Sequence, residues 1–120
     1  MDPLYIRFDD AFTNLMRDGD GPASTLLYKV TFECSNIETH DLINKYKTRF
    51  VDMISKLHDS RTRAEVDDIL MFKEGVQRQA LQRSNDILRK IIPEDVKEKD
   101  RAEYRVTAVL HEKCMVADSP

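Results

Sequence analysis

The chain has 120 residues, 41% of them hydrophobic and 34% charged, with a net charge of −3 at neutral pH. That length suits one domain with a core of its own, and the interleaved signs give no overall pull toward nucleic acid, an anionic membrane or an acidic substrate. No window approaches the roughly eighteen apolar residues of a spanning helix, and the opening Met1-Asp2-Pro3-Leu4 lacks the basic-then-apolar order of a secretory signal.

Leu4-Tyr5-Ile6-Arg7-Phe8 alternates, which predicts a short strand with Leu4, Ile6 and Phe8 on one side. Asp9 or Asp10 can then cap a brief helix carrying Phe12, Leu15 and Met16, with Gly19 as its stop. The competing reading is one long hairpin turning at Asp18-Gly19-Asp20-Gly21-Pro22; two adjacent aspartates sit poorly within a strand, which favours the helix. The same glycines do not make a calcium loop, because aligning either with the sixth position places a methionine among the first ligands and no glutamate at the twelfth. Leu27 to Cys34 is the clearest strand, with Tyr28, Val30, Phe32 and Cys34 inward and Lys29, Thr31 and Glu33 outward.

Ser35-Asn36-Ile37-Glu38 reads as a capping box opening a helix to His58, with Leu42, Tyr46, Phe50, Met53 or Ile54, and Leu57 as its apolar stripe. Asp59-Ser60-Arg61 turns the chain into a second, longer helix from Thr62 to Ile92, opened by the box Thr62-Arg63-Ala64-Glu65 and closed by Pro93. Pro93-Glu94-Asp95 has the composition of another helix start. Tyr104 to His111 is β-branched and roughly alternating, a third strand, with a helix continuing to Cys114 as the alternative. Residues 117–120 are expected to fray, leaving 1–116 as the globular domain. The order implies an α+β fold in which a short three-stranded sheet packs on an antiparallel pair of long helices; the alternative is a mainly α-helical bundle with an N-terminal hairpin.

The longer helix carries two apolar seams, Ile69, Val76, Ala80 and Ile87 on one side and Leu70, Leu81 and Leu88 on the other, with Lys73, Gln77 and Ser84 near the line between them. A helix this broad needs two neighbours, supplied by its own chain or by a second copy. The expected partners are therefore the chain itself, as a homodimer, and a further protein, with Leu70, Phe72, Lys73, Gln77, Leu81, Ser84 and Leu88 as the interface. The strand Leu27–Cys34 is a second docking element, by strand addition, and Tyr5, Met71 and Phe72 are anchor candidates.

No motif names a chemistry. Asp9/Asp10 and Asp67/Asp68 are neighbours that point about 100° apart on a helix and read as caps. His40, His58 and His111 have no ligand spacing, a site drawing on Cys34, His111 and Cys114 has little to recommend it, and the glycines form no phosphate loop. No catalytic residue, cofactor or metal is expected, and the two distant cysteines read as reduced thiols of a cytoplasmic or nuclear protein. The alternative function is shape-specific binding of duplex nucleic acid, RNA in particular, through Arg61, Arg63, Arg78, Gln82 and Arg89, although Asp67, Asp68, Glu74 and Asp86 share that face.

Overall fold

The computed structural model describes residues 4–118. The fold is α+β: an antiparallel sheet with all its longer helices on one face. Strand β3 (Ser24–Cys34) is central. On one edge it pairs with two short strands laid end to end, β1 (Leu4–Arg7) against residues 31–34 and β2 (Ala11–Asn14) against residues 25–28. Phe8 keeps the ladder going between them by donating its amide to the Val30 carbonyl at 3.0 Å. On the other edge lies β4 (Val106–Asp118). The sheet is therefore four strands by count and three wide, since β1 and β2 are one broken edge strand.

The segment after Asp9 is thus a hairpin arm and not a helix. The two aspartates fall in the kink between β1 and β2, where both are exposed and neither caps anything. The turn closes through Gly21 N–H to Asp18 O, with Gly19 at φ 65°, a backbone that glycine adopts without cost. Strand β4 also runs farther than expected, through Ala117 and Asp118, because Asp118 accepts a hydrogen bond from Ser24 Oγ and pairs with Arg63. Residues 119–120 lie outside the described part.

Two residues of β4, Thr107 and Glu112, have no partner in the register and form bulges. The second aims the Glu112 carboxylate at the open face, where it accepts from Thr31 Oγ1 at 2.6 Å and Arg7 Nε at 3.1 Å and faces Lys29 Nζ at 3.7 Å. Those partners, the threonine hydroxyl first, hold its carboxyl below the usual glutamate range.

The expected first long helix is two, α1 (Ile37–Lys45) and α2 (Lys47–His58), broken at Tyr46 with φ −110° and ψ 30°. Its cap is Asn36, whose Oδ1 accepts the Thr39 amide at 2.8 Å; Ser35 instead donates to the Glu103 carbonyl. The box at Thr62 forms, Thr62 N–H to Glu65 Oε1 at 3.1 Å and Glu65 N–H to Thr62 Oγ1 at 3.2 Å, but it opens only a single 3-10 turn, Ala64–Val66. A second cap, Asp68 on the Met71 amide at 3.1 Å, starts the long helix α3 (Ile69–Ile91). Pro93-Glu94-Asp95 makes a turn, and the short helix α4 follows at Glu98–Arg101.

One core joins the layers. Leu26, Tyr28, Val30, Phe32 and Cys34 of β3 face Phe50, Ile54 and Leu57 of α2 and Phe72, Val76, Ala80 and Leu88 of α3. Phe32 meets Phe8 and Phe50 edge-on, with ring centroids at 4.8 and 6.1 Å. Arg61 ties the helices together: its guanidinium donates to the Leu57 carbonyl at 2.9 and 3.1 Å, pairs with Glu65, and lies over the Phe72 ring. Beyond α2, helix α3 packs on β4, the outermost strand, and bonds it through Gln77 on His111 and Asn85 on Val106.

Candidate interaction surface

Burial divides the residues that the sequence groups along α3. Phe72, Ser84 and Leu88 belong to the chain's own core, with 8%, 0% and 0% of their surface exposed, so they cannot meet a partner directly. Gln77 is half-buried and its side-chain amide bonds His111. What remains is a band formed by Leu70, 67% exposed, with half-buried Lys73 and Leu81. Met71, 70% exposed, and the exposed charges Glu74 and Arg78 border it. The helical period alone does not make the division, since Leu70 and Leu88 stand five full turns apart on one face and only Leu88 is buried. The seam of Phe72, Val76 and Ala80 faces the core; Leu81 packs against that core on the β4 side, between Gln77 and Asn85, which bond His111 and Val106, and Leu70 opens to solvent in the first turn of the helix.

Strand addition finds less to work with. Strand β3, which contains Leu27–Cys34, is paired on both edges and has no free backbone to offer. The outer edge of β4 is interrupted by its two bulges, and Asn85 occupies Val106 fully, receiving its amide at 2.8 Å and donating to its carbonyl at 3.1 Å. These are the features by which natural sheets discourage edge pairing. The open sheet face carries one apolar cross-strand row, Phe12, Leu27 and Met115, and Tyr5, 41% exposed, near its other end.

The five residues of the nucleic-acid reading do not converge. Arg61 and Arg63 sit at the turn between helices, Arg61 on Glu65 and Arg63 on Asp67 and Asp118. Arg89 pairs with Asp86 one turn back along its own helix. Arg78 and Gln82 are exposed on α3. An arginine already neutralised by a carboxylate has less to offer a phosphate.

Behind the band lies a polar chain that sequence reasoning missed. His58 Nδ1 sits 2.7 Å from the Ile54 carbonyl, His58 Nε2 lies 2.9 Å from His111 Nε2, and His111 Nδ1 is 3.0 Å from the Gln77 side-chain nitrogen. A carbonyl only accepts, so Nδ1 of His58 carries the proton and its Nε2 accepts from His111 Nε2–H; His111 Nδ1 then accepts from the Gln77 amide. With both rings neutral, every polar atom is satisfied. Tyr28 stacks on His58 at 3.7 Å with the planes 1° apart, and Phe72 closes the other side edge-on. Burial drives His58 down to about 4, partly opposed by the Ile54 carbonyl, and drives His111 to about 4, helped by the charges of His58 and Lys73. His58 has no exposed surface, while His111 and Gln77 are half-buried, so the chain is a brace that runs from the core toward the surface. The two rings are 53 residues apart in sequence, and no local spacing announces them.

Cys34 and Cys114 are free thiols. Cys34 pairs with Val106 and Cys114 with Tyr28, six positions along β3, or about 20 Å. That separation excludes a disulfide between them and a metal site shared with His111. Burial raises both thiols, Cys34 to about 11. Among the described residues no cluster of histidine, cysteine and carboxylate has the arrangement of a metal site. No helix is long and apolar enough to cross a membrane. Comparison with known proteins finds no protein family whose profile matches the chain and no curated protein similar to it in sequence.

Proposed function

We propose that the chain is a non-enzymatic protein–protein interaction module that works as a homodimer through α3. The observation that carries this reading is at the start of α3: a helix whose inner seam is fully buried keeps Leu70 and Met71 about two-thirds exposed in its first turn. Exposed apolar side chains in a row on a rigid element, rimmed by charge, mark a protein contact more readily than a solvated surface. The shifted histidines do not argue for catalysis: each ring nitrogen already has a partner within the protein, and His58 is fully buried. Two free, unpaired thiols suit a reducing compartment, cytoplasm or nucleus.

Leu70→Asp tests the reading with little risk to the fold, since the side chain is exposed and an acid in the first turn of a helix is favourable. The expected result is an unchanged far-UV spectrum with self-association lost. Unchanged association would place the contact elsewhere. If the purified protein instead carries absorbance at 260 nm that salt removes, and Arg78→Glu abolishes this, duplex nucleic acid is the partner.

A further inference from the structure

Where α3 ends, the chain folds back beside it, and the two enclose a cleft of about 590 Å³. One wall is the last part of α3, with Asn85 and Arg89; the other is residues 98–105, which hold α4 and lead into β4. Three arginines line the cleft, Arg89, Arg101 and Arg105, against one carboxylate, Glu98. The whole chain is net negative, at −3, so this excess of positive charge is local. Arg89 is already held by Asp86. Neither Arg101 nor Arg105 takes part in an ion pair among the described residues, with Glu98 or with any other carboxylate.

Both free arginines stand on fixed backbone. Nη1 of Arg101 donates to the Pro93 carbonyl at 3.1 Å and to the Val96 carbonyl at 3.3 Å, which orients the half-buried side chain and leaves the donors on Nε and Nη2 for another acceptor. Arg105 is pinned through its main chain: its amide donates to Ser35 Oγ at 3.2 Å and its carbonyl accepts the Ser35 amide at 3.0 Å, while its side chain stays exposed. Asn85 fixes the next residue, Val106, through both of its backbone groups. A guanidinium presents forked donors that match the oxygens of a phosphate. The cleft is much larger than one inorganic anion needs and falls in the range of small-molecule sites, and half-buried Tyr104 with Ile92 gives it an apolar flank.

We propose that this cleft binds an organic phosphate of mononucleotide size, its phosphate on Arg101 and Arg105, its organic part against Tyr104 and Ile92, and Glu98 accepting from a hydroxyl or amino group. Arg89 adds a third cation at the α3 wall. The site lies about 28 Å along the helix from Leu70, so it is separate from the homodimer reading, and a monomeric chain would leave it standing.

The test is a two-dimensional amide NMR titration of the wild-type chain with adenosine monophosphate and, separately, with inorganic phosphate. Saturable shifts are expected at residues 85–92 and 98–105, with the nucleotide bound at least about tenfold tighter than phosphate. Arg105→Glu reverses a charge that has no ion-pair partner of its own, and should weaken nucleotide binding by roughly tenfold or more with an unchanged far-UV spectrum. Arg83→Glu makes the same change of charge on an exposed part of α3 outside the cleft and should leave the affinity as it was. No saturable shift at millimolar nucleotide, shifts centred elsewhere, or equal losses in the two variants would overturn the site. Equal affinity for nucleotide and phosphate would overturn the assignment of an organic phosphate and reduce the cleft to a general anion site.

Discussion

The His58–His111 pair makes the fold acid-sensitive in a window where few other groups titrate. In the unfolded chain a histidine titrates near 6.5, and in the folded chain both are lowered to about 4. Between those values the unfolded state binds more protons, so stability is complete above about pH 6.5, falls as pH drops toward 4, and is insensitive to these groups below that. For His58, fully buried, a gap of about 2.5 units at ~1.4 kcal/mol each gives a loss of roughly 3 kcal/mol once the fall is complete, and about 2 kcal/mol of it is gone by pH 5. His111 is partly exposed and coupled to His58, so its share is smaller and not additive. Against a total stability on the order of 10 kcal/mol for a domain of this size, that is a large fraction. The assay is urea unfolding at pH 7.5, 6 and 5. A 2 kcal/mol loss lowers the midpoint by about 1 M with a slope near 2 kcal/mol/M. The window stays above the range where Glu65, Glu112 and Asp118, all held below their usual values by hydrogen bonds, take up protons. His58→Phe keeps a ring against Tyr28 and Phe72 and removes the proton site; its midpoint should fall much less between pH 7.5 and 5. Equal falls in wild type and variant would refute the assignment.

Two further substitutions probe the packing. The Ser84 hydroxyl is buried with no hydrogen-bond partner among the described residues, so Ser84→Ala should stabilise the protein by about 1 kcal/mol, read as a rise of about 4 °C in Tm. Asn85→Ala strips Val106 of both its backbone partners and should destabilise by roughly 1–3 kcal/mol in the same unfolding assay.

The fold class was legible in the sequence because periodicity carries it: period 2 in residues 27–34 and the helical period in residues 69–91 survive as β3 and α3. Boundaries were not, and each miss has a local cause. Thr62 and Glu65 do form their box, but Asp68 offers a second cap three residues later, so the first ends after one turn. Nothing at Tyr46 marks the break between α1 and α2, since it is neither glycine nor proline. The hairpin arm mimicked a helix because Phe12, Leu15 and Met16 are spaced like one; only Leu15 turns inward, while Phe12 is 71% and Met16 50% exposed. Likewise the turn just past α2 runs through Ser60 at φ 60°, a position where glycine would have signalled the stop. Of the α3 residues grouped from sequence, the split between core and surface depends on the helix's tilt over β4, which periodicity does not report. Leu88 at one end is fully buried, while Leu70 at the other is open.

The central claim is that this chain pairs with itself along α3, and its mass in solution tests that most directly. Size-exclusion chromatography with multi-angle light scattering, run over a range of concentrations, should return twice the 14.0 kDa of one chain for the wild type and a single chain's mass for Leu70→Asp. A wild-type mass of 14.0 kDa at every concentration would contradict the account.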